Sequence, residues 1–166
     1  MIEILYHITW MCIIVFRTII ALLIAILASV LIGAFQIVGV TADMIAALPQ
    51  GDILGQLQLW GQVLFLDLVR PYTAFTAHGA FAPMVALGVA GFIAGLVSKS
   101  GMRMLFVSII TIVLYFIGYI VLSLGMPLAI SSFTSEIAPM AIDLGASFAL
   151  LFIPGIIGAS LTAEEY

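Results

Sequence analysis

The chain has 166 residues, of which 65% are hydrophobic and 7% charged, and its mean hydropathy is +1.38. A soluble domain carries nearer a quarter charged residues, so this composition belongs to an integral membrane protein. Eight acids stand against Arg17, Arg70, Lys99 and Arg103, a net charge of −4, which leaves no basic surface for nucleic acid or for anionic headgroups.

The N-terminus, "MIEILYHITW", begins with an acid and has no small-residue cleavage site after a short apolar run, so it does not read as a removed signal peptide. Glu3 and His7 are four apart and share a helical face, while Tyr6 and Trp10 are of the kinds that settle at headgroup level. Residues 1–17 are therefore either an interfacial helix or an extension of the first span with Arg17 snorkelling, and continuity with that span is favoured. The single cysteine, Cys12, rules out an internal disulfide and a four-cysteine iron–sulfur site, and reads as a small apolar residue.

A transmembrane helix needs about 20 apolar residues. Four segments meet that length: residues 18–38, 79–98, 104–124 and 144–161, the last with Pro154 and Gly155 as a tolerated kink. The expected fold is thus an all-α, close-packed bundle of four membrane helices forming one domain over residues 1–166. Lys99 and Arg103 lie in a very short loop and Arg17 precedes the first span, so these residues mark the cytoplasmic side. Both termini are then cytoplasmic, residues 162–166 form an acidic cytoplasmic tail, and Asp43, Asp52, Asp67, Glu136 and Asp143 fall outside with Arg70. A prokaryotic plasma membrane fits the compact chain and its short positive loop.

Between the first two spans, residues 39–77 are too apolar for a floppy loop and too interrupted for a clean span. "LPQG" at 48–51 reads as a turn, Asp52 as the N-cap of a helix over about 52–69, and Pro71 as its stop. At 100° per residue, Asp52, Gln56, Asp67 and Arg70 share one arc, with Ile53, Leu57, Leu64 and Leu68 opposite. This amphipathic helix either lies on the outer surface or re-enters the membrane, and Asp67 pairs with Arg70 one turn away.

Lipid tails are as apolar as leucine, so membrane helices associate through small residues that admit close backbones. Such stripes are Ala21, Ala25, Ser29 and Gly33 on the first span, and Ala86, Ala90 and Ala94 with Gly91 and Gly95 on the second. On the fourth span, Gly145 pairs with Ala149 and Gly155 with Ala159. On the third span Tyr115 and Tyr119 share a face with Thr111 and Ser108; they serve either as hydrogen-bonded structural residues or as the lining of a pathway or quinone-like pocket.

Every ionisable residue falls at a predicted helix end or loop, which weighs against an ion-coupled transporter. His7 and His78 are expected on opposite sides of the membrane and so cannot share a metal or haem. His78 with Asp67, Glu136 or Asp143 is a weak candidate metal site, the plainer reading being an ordinary interfacial histidine. No nucleophile elbow, phosphate loop or HExxH motif occurs, and no cofactor is expected.

The expected function is a non-catalytic membrane subunit that packs against larger subunits of a respiratory, transport or secretion complex. The alternative is a small homo-oligomeric channel or carrier whose pathway is lined by Tyr115, Tyr119 and His78, with Asp67 and Arg70, like the two tyrosines, as candidates for pathway or lipid contact.

Overall fold

The computed structural model of the chain describes residues 2–47, 52–123 and 137–163. The predicted turn at 48–51, Glu136, and residues 164–166 of the predicted acidic tail lie outside the described residues.

With so few polar side chains, the backbone must satisfy its own hydrogen bonds, and an uninterrupted apolar run does so as a helix. Every element among the described residues is an α-helix: α1 (Ile2–Gln36), α2 (Ala42–Ala47), α3 (Ile53–Val69), α4 (Pro71–His78), α5 (Ala82–Ser98), α6 (Gly101–Ser123) and α7 (Ile137–Leu161). Three are long and apolar enough to cross a membrane, over Val15–Gln36, Gly101–Ser123 and Met140–Leu161. No boundary interrupts α1 near Arg17.

Two boundaries differ from those expected. The segment read as a span from residue 79 is divided: Gly79, with φ 65°, ends α4 in the left-handed conformation, and α5 begins at Ala82 with Pro83 in its first turn. The remaining 17 residues of α5 cover about 26 Å, just short of a hydrocarbon core of about 30 Å. The last span begins earlier than residue 144, and this draws Asp143 inside a helix, where it is fully buried. The expectation that every charge sits at an end or in a loop therefore fails at Asp143.

Helices α5 and α7 run parallel and touch backbone to backbone. A Cβ on Gly91 would overlap the Leu151 carbonyl oxygen, and one on Gly95 would overlap that of Gly155. Gly158 closes against the Phe92 carbonyl in the same way. These are the contacts that small residues permit where no hydrophobic drive pulls helices together. Helix α1 packs its buried row of Ala21, Ala25, Ser29 and Gly33 against α5 and α6, with Gly33 meeting Leu64 of α3, and Ala86, Ala90 and Ala94 are buried on α5.

On α7 the stripe differs from the sequence reading. Gly145 is exposed and Ala149 is half-buried, whereas Asp143, Ser147, Leu151, Gly155 and Ala159 form a buried row at intervals of four. Gly145 and Ala149 lie on the neighbouring side of the helix, because packing selected the row that carries Leu151 and Ser147.

Two core clusters divide the interior. One gathers Leu64, Leu68, Val69, Ala86, Leu87, Ala90, Tyr115 and Leu151, and the other Ala21, Ala25, Ala94, Met104, Val107 and Ala159. The second lies toward the α5–α6 turn, where Lys99 takes a left-handed φ of 53° and Arg103 donates to the Ser98 carbonyl at 3.1 Å.

Helix α3 keeps the bounds expected from Asp52 and Pro71, and the Asp52 carboxylate accepts from the Gly55 N–H at 3.1 Å. Only the C-terminal half of its apolar face is buried, through Leu64, Leu68 and Val69, while Ile53 and Leu57 stay exposed. It is anchored along α6: Gln58 and Gln62 each donate to the Leu122 carbonyl at 2.6 Å, Phe65 lies against Gly118, and the Phe65 and Tyr115 rings are 6.0 Å apart. Leu64 fills the notch at Gly33. The helix thus drives its last two turns into the protein instead of lying along its surface.

Candidate functional site

The polar residues converge where α3 ends and α4 begins. Proline has no N–H and disfavours helical geometry at the residue before it. Arg70 accordingly adopts φ −119° and ψ 51°, its N–H closing α3 on the Leu66 carbonyl at 2.9 Å and its carbonyl opening α4 to the Ala74 N–H at 2.9 Å.

The break strands backbone groups that an unbroken helix would pair, and such groups are costly to leave unmet in an apolar interior. Two side chains of α7, one turn apart, meet them. The Ser147 hydroxyl lies 3.1 Å from both the Leu68 and Val69 carbonyls and 2.9 Å from the Asp143 carbonyl of its own helix, so its single proton is shared among three acceptors. The Asp143 carboxylate accepts the Thr73 N–H at 2.8 Å and the Thr73 hydroxyl at 2.6 Å, so it caps α4 from a different helix. A negative charge at that helix N-terminus is favoured by the dipole. Arg70 completes the group, its Nε 3.6 Å from Asp143 Oδ2.

Around this buried knot the groups are more open. Asp67 is half-buried and His78 is exposed at the end of α4. Burial raises the Asp67 pKa above the ordinary 3.8, and the charge of His78 pulls it back part of the way. The folded state therefore holds the Asp67 proton more tightly than the unfolded chain. That contribution to stability is complete in acid and is lost as pH rises through the raised value. Asp67→Asn should accordingly raise the melting temperature at pH 7 and leave it nearly unchanged near pH 3, as read by thermal scans in one detergent. A lower melting temperature at pH 7 would show that the carboxylate is held by attraction, with burial the lesser effect.

A second polar contact lies deeper. Ser29 donates its one proton to the Ile26 carbonyl at 2.9 Å, so in its hydrogen bond with Tyr115 the tyrosine hydroxyl is the donor. Tyr115 is fully buried, whereas Tyr119, one turn on, is half-buried. The two tyrosines and His78 thus differ in burial, His78 being exposed. Among the described residues no three His, Cys, Asp or Glu side chains converge as metal ligands. Asp143 turns toward Thr73 and Arg70, and Glu136 lies outside the described residues.

The sequence reading grouped Asp67 with Arg70 by their spacing and left Asp143 in an outer loop. The signal it passed over is the interval of four running Asp143, Ser147, Leu151, Gly155 and Ala159, which places a carboxylate and a hydroxyl on the packed face of the last helix. No known protein family, curated protein or solved structure matches this chain.

Proposed function

We propose that the chain is a non-catalytic, multi-pass subunit of a prokaryotic plasma-membrane complex, which packs against larger membrane subunits and stabilises them. In this reading α5 is a fourth span, its 17 residues supplemented at one end by α4 and at the other by the Lys99 turn. Arg17, Lys99 and Arg103 face the cytoplasm, with both chain termini on that side, and Asp43, Asp52, Asp67 and Asp143 stand toward the other face.

The observation that carries the proposal is the free side of α7. Its buried row is consumed by α5 and the helix break, yet Ala141 and Gly145 are exposed, and a Cβ on Gly145 would meet nothing within 4 Å. Small residues exposed on a membrane helix leave room for the close approach of another helix. The polar cluster at the α3–α4 break fits the same reading, since its hydrogen bonds hold the protein's own backbone together.

Purification at native expression level, with identification of what accompanies the chain in fixed stoichiometry, tests this. Gly145→Leu should lose those subunits while its melting temperature stays within about 2 °C of the parent, because the position is exposed and a Cβ there meets no described atom within 4 Å. A stable, monodisperse monomer isolated from native membranes would reject the subunit reading. A closed ring of identical copies that passes a solute in liposomes would replace it with the channel or carrier alternative.

A further inference from the structure

In an apolar interior a serine or threonine hydroxyl has a ready partner in the carbonyl of the preceding helical turn. Among the described residues six hydroxyls use it: Ser29 with Ile26, Thr76 with Tyr72, Ser98 with Gly95, Ser147 with Asp143, Ser160 with Ile157 and Thr162 with Gly158. Ser108 and Thr111 stand apart from these. Both, on the interior face of α6, are fully buried, and among the described residues neither hydroxyl has a protein hydrogen-bond partner.

The two stand three residues apart, and so are neighbours on one side of the helix, with Tyr115 a turn beyond. Tyr115 is engaged with Ser29 and leaves no proton for Thr111. Among the described residues the protein therefore holds two neighbouring, fully buried hydroxyls that make no hydrogen bond to it. A buried water needs two to four polar partners, and a pair of hydroxyls that can each donate and accept meets that need.

We infer that Ser108 and Thr111 form an internal binding site for water, one molecule bridging the two hydroxyls inside the helical core. This inference does not depend on the subunit assignment.

The test compares Thr111→Val, which keeps the shape and removes the hydroxyl, with Thr111→Ser, which keeps the hydroxyl, in the full chain in lipid bilayers and in detergent. Where water bridges the pair, valine removes a satisfied bond and strands Ser108, so the melting temperature falls by about 2–4 °C, and Thr111→Ser retains more of it. Water-edited solid-state NMR should show magnetisation passing from water to Thr111 in the parent protein and not to residue 111 of the valine variant. A rise in melting temperature on Thr111→Val overturns the proposal, since that is the result for a bare buried hydroxyl. An absence of transfer from water in the parent protein overturns it independently, whatever the variants do.

Discussion

Gly91→Leu should abolish the folded protein, and Gly91→Ala should lower its stability by about 3 kcal/mol. The Cβ of the new residue would overlap the Leu151 carbonyl oxygen and stand 2.9 Å from both the Cα and the carbonyl carbon of that residue. These are backbone atoms, so no change of rotamer relieves the overlap. Relief requires α5 and α7 to separate, and the same shift would loosen Gly95 from Gly155 and Gly158 from Phe92. Gly88, on the same helix, is the control. A Cβ there meets nothing within 4 Å, and alanine is the better helix former by about 1 kcal/mol, so Gly88→Ala should leave stability level or raise it. Thermal unfolding of the three variants in a single detergent gives the comparison. Equal melting temperatures for Gly88→Ala and Gly91→Ala would mean that α5 and α7 are not in backbone contact.

Asp143→Ala should cost about 3 kcal/mol, because it removes the acceptor of two hydrogen bonds and leaves the partly buried Thr73 N–H without that acceptor at the head of α4. Arg70 loses its carboxylate neighbour in the same step. Asp143→Asn should cost less, since one amide oxygen remains to accept the Thr73 N–H while the charge facing Arg70 is gone. Ser147→Ala acts on the other side of the break and frees the Leu68 and Val69 carbonyls, a loss of about 1–2 kcal/mol. Hydrogen exchange should locate the damage: faster exchange at residues 71–75 for the aspartate variants, with α6 unaffected. If Asp143→Ala melts with the parent protein, the broken helix is held by something other than α7.

These two effects differ in how far they were legible beforehand. Gly91 and Gly95 stand beside the row of Ala86, Ala90 and Ala94, and the physics that favours small residues between membrane helices singles them out without coordinates. The same reasoning marked Gly155 with Ala159, which are buried, and Gly145 with Ala149, which this chain's own helices leave exposed and half-buried. Spacing identifies every small-residue row on a helix but not the one that a neighbour covers. The bounds of α3 followed from Asp52 and Pro71, both of which act within a few residues of themselves. Its burial did not follow, because the moment of the helix is spread over its whole length, whereas only the turns from Leu64 onward meet other helices.

Composition and local chemistry are enough to place this chain in a bilayer as a series of helices, to end α3 at Pro71, and to mark the glycines where backbones can meet. Each of these rests on interactions within a few residues or on the apolar character of a whole segment. The role of Asp143 lies beyond their reach. It caps a helix that begins 72 residues earlier in the chain, and Ser147 serves carbonyls at a similar separation. Charge and spacing offered Asp67 as the partner of Arg70 and an outer loop as the place for Asp143. The packing of α7 against the α3–α4 break put the carboxylate in the core instead, since only there do unpaired backbone groups need an acceptor that no nearby residue can provide.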